Sequence, residues 1–247
     1  MNRVAFTILG IDVMWYGILI GAGMLLGIYI ALKEARRIGI SEDDILNVAL
    51  IAIPVGVICA RLYYVIFSWD YYSLNPSEIL NIRGGGLAIH GGIIGGTLSA
   101  YIYAKVKKID FLKLADTVIP GLPLAQAIGR WGNFINGEAH GGPTNLPWAI
   151  TVDGMKVHPT FLYESIWNII LFAFIMLYMR KRKKYEGQVL LTYVTVYSIG
   201  RFFIEGLRTD SLMIGPLRTA QLVSLAGVTI GVGLHIYLSS KAKKSEV

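Results

Sequence analysis

The chain has 247 residues, 54% apolar and only 16% charged, with a net charge of +7. A soluble domain is about 25% charged, so this composition excludes a disordered chain, a collagen-like chain and a disulfide scaffold, and it argues against an ordinary soluble domain. In a soluble protein the positive charge would suggest nucleic acid; here its meaning depends on where the basic residues fall relative to the apolar runs.

In chain order, the candidate membrane spans are 13–32, 48–69, 84–104, 117–129, 159–179, 188–200 and 219–240. Fifteen of the 23 basic residues form four clusters, at 33–37, 105–113, 180–184 and 241–244. Basic clusters face the cytoplasm, and one orientation of seven spans satisfies all four. The predicted fold is therefore an all-α polytopic membrane protein of a single domain, 1–247, with seven transmembrane helices. Its N-terminus lies outside and its C-terminus inside, and residues 137–158 form a small cap on the outer face. Only Arg3 precedes the first run and no Ala-x-Ala site follows it, so the N-terminus does not read as a cleavable signal peptide. Cys59 is the sole cysteine, which excludes an intrachain disulfide and a CxxC metal motif and leaves it as a small buried residue.

The other basic residues are scattered: Arg3, Arg61, Arg83, Arg130, Lys156, Arg201, Arg208 and Arg218. Arg83, Arg130, Arg201, Arg208 and Arg218 fall at outer span ends and Arg61 within a span, against the positive-inside trend. An arginine at a span centre costs about 2.5–3.5 kcal/mol on insertion scales, so such residues pair, line a wet cavity or bind an anion. Arg201, Glu205 and Arg208 are spaced to satisfy one another on a helix, and snorkelling is a second structural explanation. Ile128-Gly129-Arg130 and Ile199-Gly200-Arg201 end two similar short runs. Two forked guanidiniums at one depth suit a phosphate; short or broken spans also fit a transport site.

The third span opens with glycines around His90. Spacing at 91/95 and 92/96 permits close helix packing, while His90 has an imidazole that titrates near neutral pH. His235 reads as an interfacial residue near the inner end of the last span. Residues 131–144 are too rich in Gly and Asn for a plain helix end. Glu138 and His140 alone, with no third ligand, make a weak metal pair. Glu164 lies inside the fifth span and needs a partner, for which an arginine is the natural candidate. Tyr16, in Trp15-Tyr16-Gly17, opens the first span as an interface aromatic or a site residue.

At these residues the chain resembles the prolipoprotein diacylglyceryl transferase family. The resemblance covers nearly the whole length. It is carried by Trp15-Tyr16-Gly17, Ala60-Arg61-Leu62-Tyr63-Tyr64, residues 85–92, Gly129-Arg130-Trp131-Gly132-Asn133-Phe134-Ile135-Asn136-Gly137-Glu138, His158-Pro159-Thr160 with Leu162-Tyr163-Glu164, and Gly200-Arg201 through Glu205, Arg208 and Asp210. The 129–138 block is the most specific. The resemblance implies transfer of the diacylglyceryl group of phosphatidylglycerol to the lipobox cysteine of a preprolipoprotein. That reaction forms a thioether, releases glycerol 1-phosphate and begins bacterial lipoprotein maturation. It implies a bacterial cytoplasmic (inner) membrane location with the site toward the outer leaflet, among membrane lipids. It makes Arg130 and Arg201 the main essential residues and adds Tyr16, His90, Asn133, Glu138, Glu205 and Arg208.

The chemistry suits these residue types. The substrate brings the nucleophilic thiol, whose free pKa is near ~8.5, so a base or a cationic field must favour thiolate. Charge builds on phosphate oxygens as the carbon–oxygen bond breaks, where arginines stabilise the transition state. The expected catalytic set is His90 (base), Glu138 (second choice of base), Arg130 and Arg201; the expected substrate-binding set is Tyr16, Arg61, Asn133, Glu205 and Arg208. No metal, cofactor or nucleic acid is expected. A transporter or flippase for an anionic solute, a membrane scaffold and a headgroup transferase with another acceptor are the alternatives.

Overall fold

A computed structural model describes residues 2–82 and 84–245, the side chains of Lys244 and Ser245 excepted. Arg83, one of the expected outer arginines, lies outside the described residues, as does the Lys244 side chain of the last basic cluster. The chain divides into two units, Met1–Ala31 with Ala115–Val247, and Leu32–Leu114.

The first unit starts with a hairpin. Strands β1 (Val4–Ile8) and β2 (Ile11–Met14) pair antiparallel, with Ile8 opposite Ile11. Leu9 and Gly10 turn the chain with φ of 50° and 76°, the two-residue turn that matches strand twist. Two more hairpins, β3 (Ile150–Val152) with β4 (Met155–Val157) and β5 (Met213–Ile214) with β6 (Leu217–Arg218), lie in connections between helices. The expected all-α chain is thus mostly helical with small hairpins, because short connections that double back must satisfy their backbone groups locally.

The helices are α1 (Trp15–Ile38), α2 (Glu42–Phe67), α3 (Trp69–Tyr72), α4 (Ile89–Lys107), α5 (Phe111–Val118), α6 (Leu122–Asn136), α7 (Thr160–Leu177), α8 (Gln188–Glu205) and α9 (Thr219–Ser245). Among the described residues, four stretches, against the seven spans expected, are helices long and apolar enough to cross a membrane: Trp15–Ile38, Glu42–Phe67, Thr160–Lys181 and Thr219–Lys243. Helices α4, α6 and α8 overlap the remaining apolar runs, 84–104, 117–129 and 188–200, without being among those four. The fourth run is interrupted at Ile119–Gly121, a 3-10 turn holding Pro120, before α6 resumes with Pro123 in its first turn, as proline's missing donor requires.

In the first unit α6 packs on α7, α7 on α8 and α8 on α9. Leu171 and Ile175 of α7 and Val189 and Tyr193 of α8 form its buried apolar centre. Small residues set the approaches. A Cβ at Gly121 would lie 2.5 Å from the Gly27 carbonyl oxygen of α1, and Gly227 and Gly231 of α9 admit Ser198 and Thr195 of α8. Such spacing lets backbones meet where hydrocarbon offers no hydrophobic drive. Helix α8 is held at its start by Asp116, whose carboxylate accepts the Gly187 and Leu190 amides at 2.8 and 2.9 Å. An anion there satisfies orphan donors and complements the helix dipole.

In the second unit α2 packs on α4, and the glycine spacing at 91/95 and 92/96 does the packing expected of it. Gly92 and Gly96 approach the backbone of Gly56 and Ala52, while Gly91 and Gly95 approach Cys59. Cys59 is half-buried against those glycines. Tyr103 of α4 donates to Asp44 of α2 at 2.7 Å.

Candidate active site

The site is built on three helices of the first unit. Arg130 lies in α6, Glu164 in the second turn of α7, and Arg201 and Glu205 in the last turns of α8. Helices α6 and α8 run unbroken through their arginines, so neither arginine sits at the broken span a transport site would use.

Glu164 is the hub. It is only 3% exposed, and its two oxygens are shared between two helices. Arg130 Nε pairs with Oε2, and Arg201 Nη1 donates to Oε1. Arg208 Nη1 stands 3.8 Å from Oε1. The second fork of Arg201, Nη2, pairs with Glu205 Oε2 at 2.6 Å, one helical turn on. Glu205 is 2% exposed. Buried charges need partners, and here α6, α7 and α8 supply ion-pair partners to one another, while Glu164 Oε2 and Glu205 Oε2 are paired by charge without a well-aligned hydrogen bond.

The expected mutual satisfaction of Arg201, Glu205 and Arg208 is therefore only part of the arrangement. Arg208 Nε is 3.9 Å from Glu205, but its close partner is Asp210, at 2.9 and 2.7 Å through Nε and Nη2. Burial works against the charge on Arg208, yet the hydrogen bonds and negative charge of Asp210, with Glu164 and Glu205 behind, hold its pKa above the usual arginine value. Partial burial likewise opposes the charge on Asp210, and Arg208 outweighs it, holding that carboxyl below the usual range. Arg218, expected among the outer arginines, donates to the carbonyls of Glu205 and Arg208, the latter at 2.8 Å. It thereby closes the C-terminal end of α8, whose carbonyls lack helical partners.

A second branch leaves Arg130. Its Nη1 donates to Asn133 Oδ1 at 3.3 Å, and Asn133 Nδ2 donates to Glu138 Oε1 at 2.9 Å. The local sequence explains the fold-back. Gly137 takes φ of +71°, and the Gly137 and Glu138 amides bond to the carbonyls of Phe134 and Asn133 at 3.0 Å. That is the glycine-terminated helix end that a left-handed residue makes cheap, and it sets the exposed Glu138 over the end of α6. Tyr16, in the first turn of α1, is beside this branch: a Cβ at Gly132 would lie 2.6 Å from its ring.

The chain from 138 to 158 is stitched to the same place. Thr160 Oγ1 donates to the Ala139 carbonyl at 2.5 Å. The Gly141 and Gly142 amides bond to the carbonyls of His158 and Leu207 at 2.8 and 2.9 Å. Gly141 has no room for a side chain, since a Cβ would lie 2.7 Å from His158 Cβ and 2.8 Å from the Leu207 carbonyl oxygen. His140 Nδ1 contacts the Gly141 carbonyl at 3.1 Å.

The structure thus brings together Arg130, Arg201, Arg208, Glu205, Asn133, Glu138 and Tyr16. His90 and Arg61 belong to the second unit. His90 is half-buried in the first turn of α4, with its ring 6.0 Å from that of Tyr63. Arg61 is 6% exposed and its guanidinium is largely spent on backbone. It donates to the carbonyls of Glu78, Ile79, Gly85 and Gly86 at 2.6–2.9 Å and lies over the Tyr72 ring. Arg61, expected as a substrate contact, fixes the segment leading into α4. Glu164 belongs to neither the expected catalytic set nor the expected substrate-binding set. The signal was a lone carboxylate in an otherwise uncharged span, and its true weight, two arginines from two other helices, is a property of packing.

The family model described as prolipoprotein diacylglyceryl transferase matches residues 3–237. A protein of Clostridioides difficile (strain 630) named phosphatidylglycerol–prolipoprotein diacylglyceryl transferase is 70% identical over 245 residues, covering 99% of this chain and 98% of its own. Proteins of the same name from Finegoldia magna and Clostridium novyi (strain NT) are 55% and 49% identical, each over at least 99% of both chains.

Proposed function

The chain belongs to the prolipoprotein diacylglyceryl transferase family, and on that premise we propose that it transfers the diacylglyceryl group of phosphatidylglycerol to the lipobox cysteine thiol of preprolipoproteins. The observation that carries this reading is the half-buried group of Arg130, Arg201 and Arg208 around the buried Glu164 and Glu205. Within an apolar helical protein, forked cations at one place suit a phospholipid headgroup.

The thiolate sulfur bonds to the glycerol carbon that carries the phosphate, the carbon–oxygen bond breaks, and glycerol 1-phosphate leaves with the electron pair. Arg130 and Arg201 hold the phosphate oxygens where that charge gathers. Glu205 and Arg208 fix the plane of Arg201. Tyr16 and Asn133 orient the headgroup. His90 takes the thiol proton, with Glu138 the alternative acceptor, and Arg61 holds the segment that leads to His90. The protein crosses the bacterial inner membrane seven times with its N-terminus outside, and the site faces the outer leaflet. The basic clusters that fall on one side of such a chain support this orientation.

The test is product mass. Purified protein with phosphatidylglycerol and a lipobox peptide should add one diacylglyceryl group to the peptide cysteine and release glycerol 1-phosphate. Lipid flux across vesicles with no covalent product would reject the reading.

A further inference from the structure

Glu164 raises a question of its own, resting on the function just proposed. Arg130, Arg201 and Arg208 stand against Glu164, Glu205 and Asp210, so the formal charges of the cluster sum to zero. A site for an anion that is already neutral is unusual. Glu164 presents two oxygens to two guanidiniums, which is the pairing a phosphate would make with the same forks.

The reaction changes the charge of its ligand. Phosphatidylglycerol arrives as a phosphodiester with one negative charge. Its leaving group is a phosphomonoester with about −1.5 to −2 at neutral pH. An uncompensated arginine cluster would therefore hold the product more tightly than the substrate, and release would limit turnover. Glu205 is anchored to Arg201 within one helix, and Asp210 is half-exposed beside Arg208. Only Glu164 joins arginines of two different helices, and it is deeply buried.

We propose that Glu164 is an internal counter-anion that exchanges with the phosphate for Arg130 and Arg201. It holds the two forks aligned between turnovers and retakes them as glycerol 1-phosphate departs. It is a positioning residue, acting through the arginines and touching neither reacting atom.

Glu164→Gln keeps shape and removes the charge. Equilibrium dialysis of labelled glycerol 1-phosphate against the purified protein in detergent should show Kd falling by roughly fivefold or more, the least that one unit charge at about 4 Å implies even in water. KM for phosphatidylglycerol and kcat should fall together. Glu164→Asp keeps the charge with a shorter reach, so its Kd should stay near wild type while kcat drops. An unchanged or weaker Kd in the Gln variant overturns the proposal, and so does an Asp variant that tightens as much as Gln. If the Gln variant does not fold, the wild-type protein decides. Infrared difference spectra on adding glycerol 1-phosphate should show a carboxylate band shift that moves again in Glu164→Asp; a carboxylate region unchanged at saturation overturns it. Thioether formation by the wild type is read separately, so failure of the proposed function is distinguishable from failure of the counter-anion role.

Discussion

Arg201→Lys tests whether the site needs a fork or merely a charge. Arg201 serves two carboxylates from one plane, with Nη1 on Glu164 and Nη2 on Glu205 at 2.6 Å. A lysine has a single nitrogen on a flexible stem and cannot bridge both. One buried carboxylate then loses its donor, at about 1–3 kcal/mol. That is small against the ~5–15 kcal/mol that holds a typical protein folded, so the variant should remain folded with a lowered Tm. The catalytic effect should be larger. Removing one donor aimed at developing charge lowers kcat by about 10²–10³, equivalent to ~2.7–4 kcal/mol. Initial rates of thioether formation in proteoliposomes, paired with thermal unfolding, measure both. If Arg201→Lys keeps wild-type kcat, the positive charge alone suffices and the two-carboxylate fork has no catalytic purpose.

Three further outcomes follow from the geometry. Gly132→Ala pushes a methyl to within 2.6 Å of the Tyr16 ring. It should destabilise by about 1–3 kcal/mol and lower activity, read from denaturation and rates. Arg61→Lys forfeits most of the four carbonyl contacts between 78 and 86. Limited proteolysis should cut that segment well before any helix; equal resistance would remove its anchoring role. Asp210→Asn concerns pH. The Asp210 carboxyl is held below its usual pKa by Arg208, so its contribution to stability is present above the unfolded value near ~3.9 and disappears as pH falls through the folded one. Wild type should therefore exceed Asp210→Asn in Tm at neutral pH and converge with it in acid, and a gap independent of pH would refute that account.

Much of the site was readable because an apolar chain makes charged residues conspicuous. Arg130 and Arg201 stand out as ions ending runs that otherwise have none, and Glu164 as one inside such a run; insertion cost says that each must pair, line a wet cavity or bind an ion. Which partner was not readable. The sequence spacing joins Arg201 to Glu205 and Arg208, whereas packing adds Glu164 and gives Arg208 chiefly to Asp210. Arg61 and Arg218 show the same limit. Both satisfy themselves on backbone carbonyls, and carbonyls are invisible in a sequence because every residue has one. The glycine spacing in α4 was legible as packing because only the absence of a side chain was at issue. The β1–β2 hairpin was not, since its apolar residues merge with the run that follows and only Gly10 marks the turn.

Helix α8 is gripped at both ends by side chains from other parts of the chain. Asp116 takes the amides at its start, and Arg218 takes the carbonyls at its finish. A slide of one residue along its axis would swing Arg201 through about 100° and carry it off Glu164. Both grips would have to fail before that slide could occur. The helix therefore behaves like a rod pinned at two points, and its length counts as much as its composition: a single residue inserted between Gln188 and Gly200 would leave every side chain of the site chemically intact and still dismantle it.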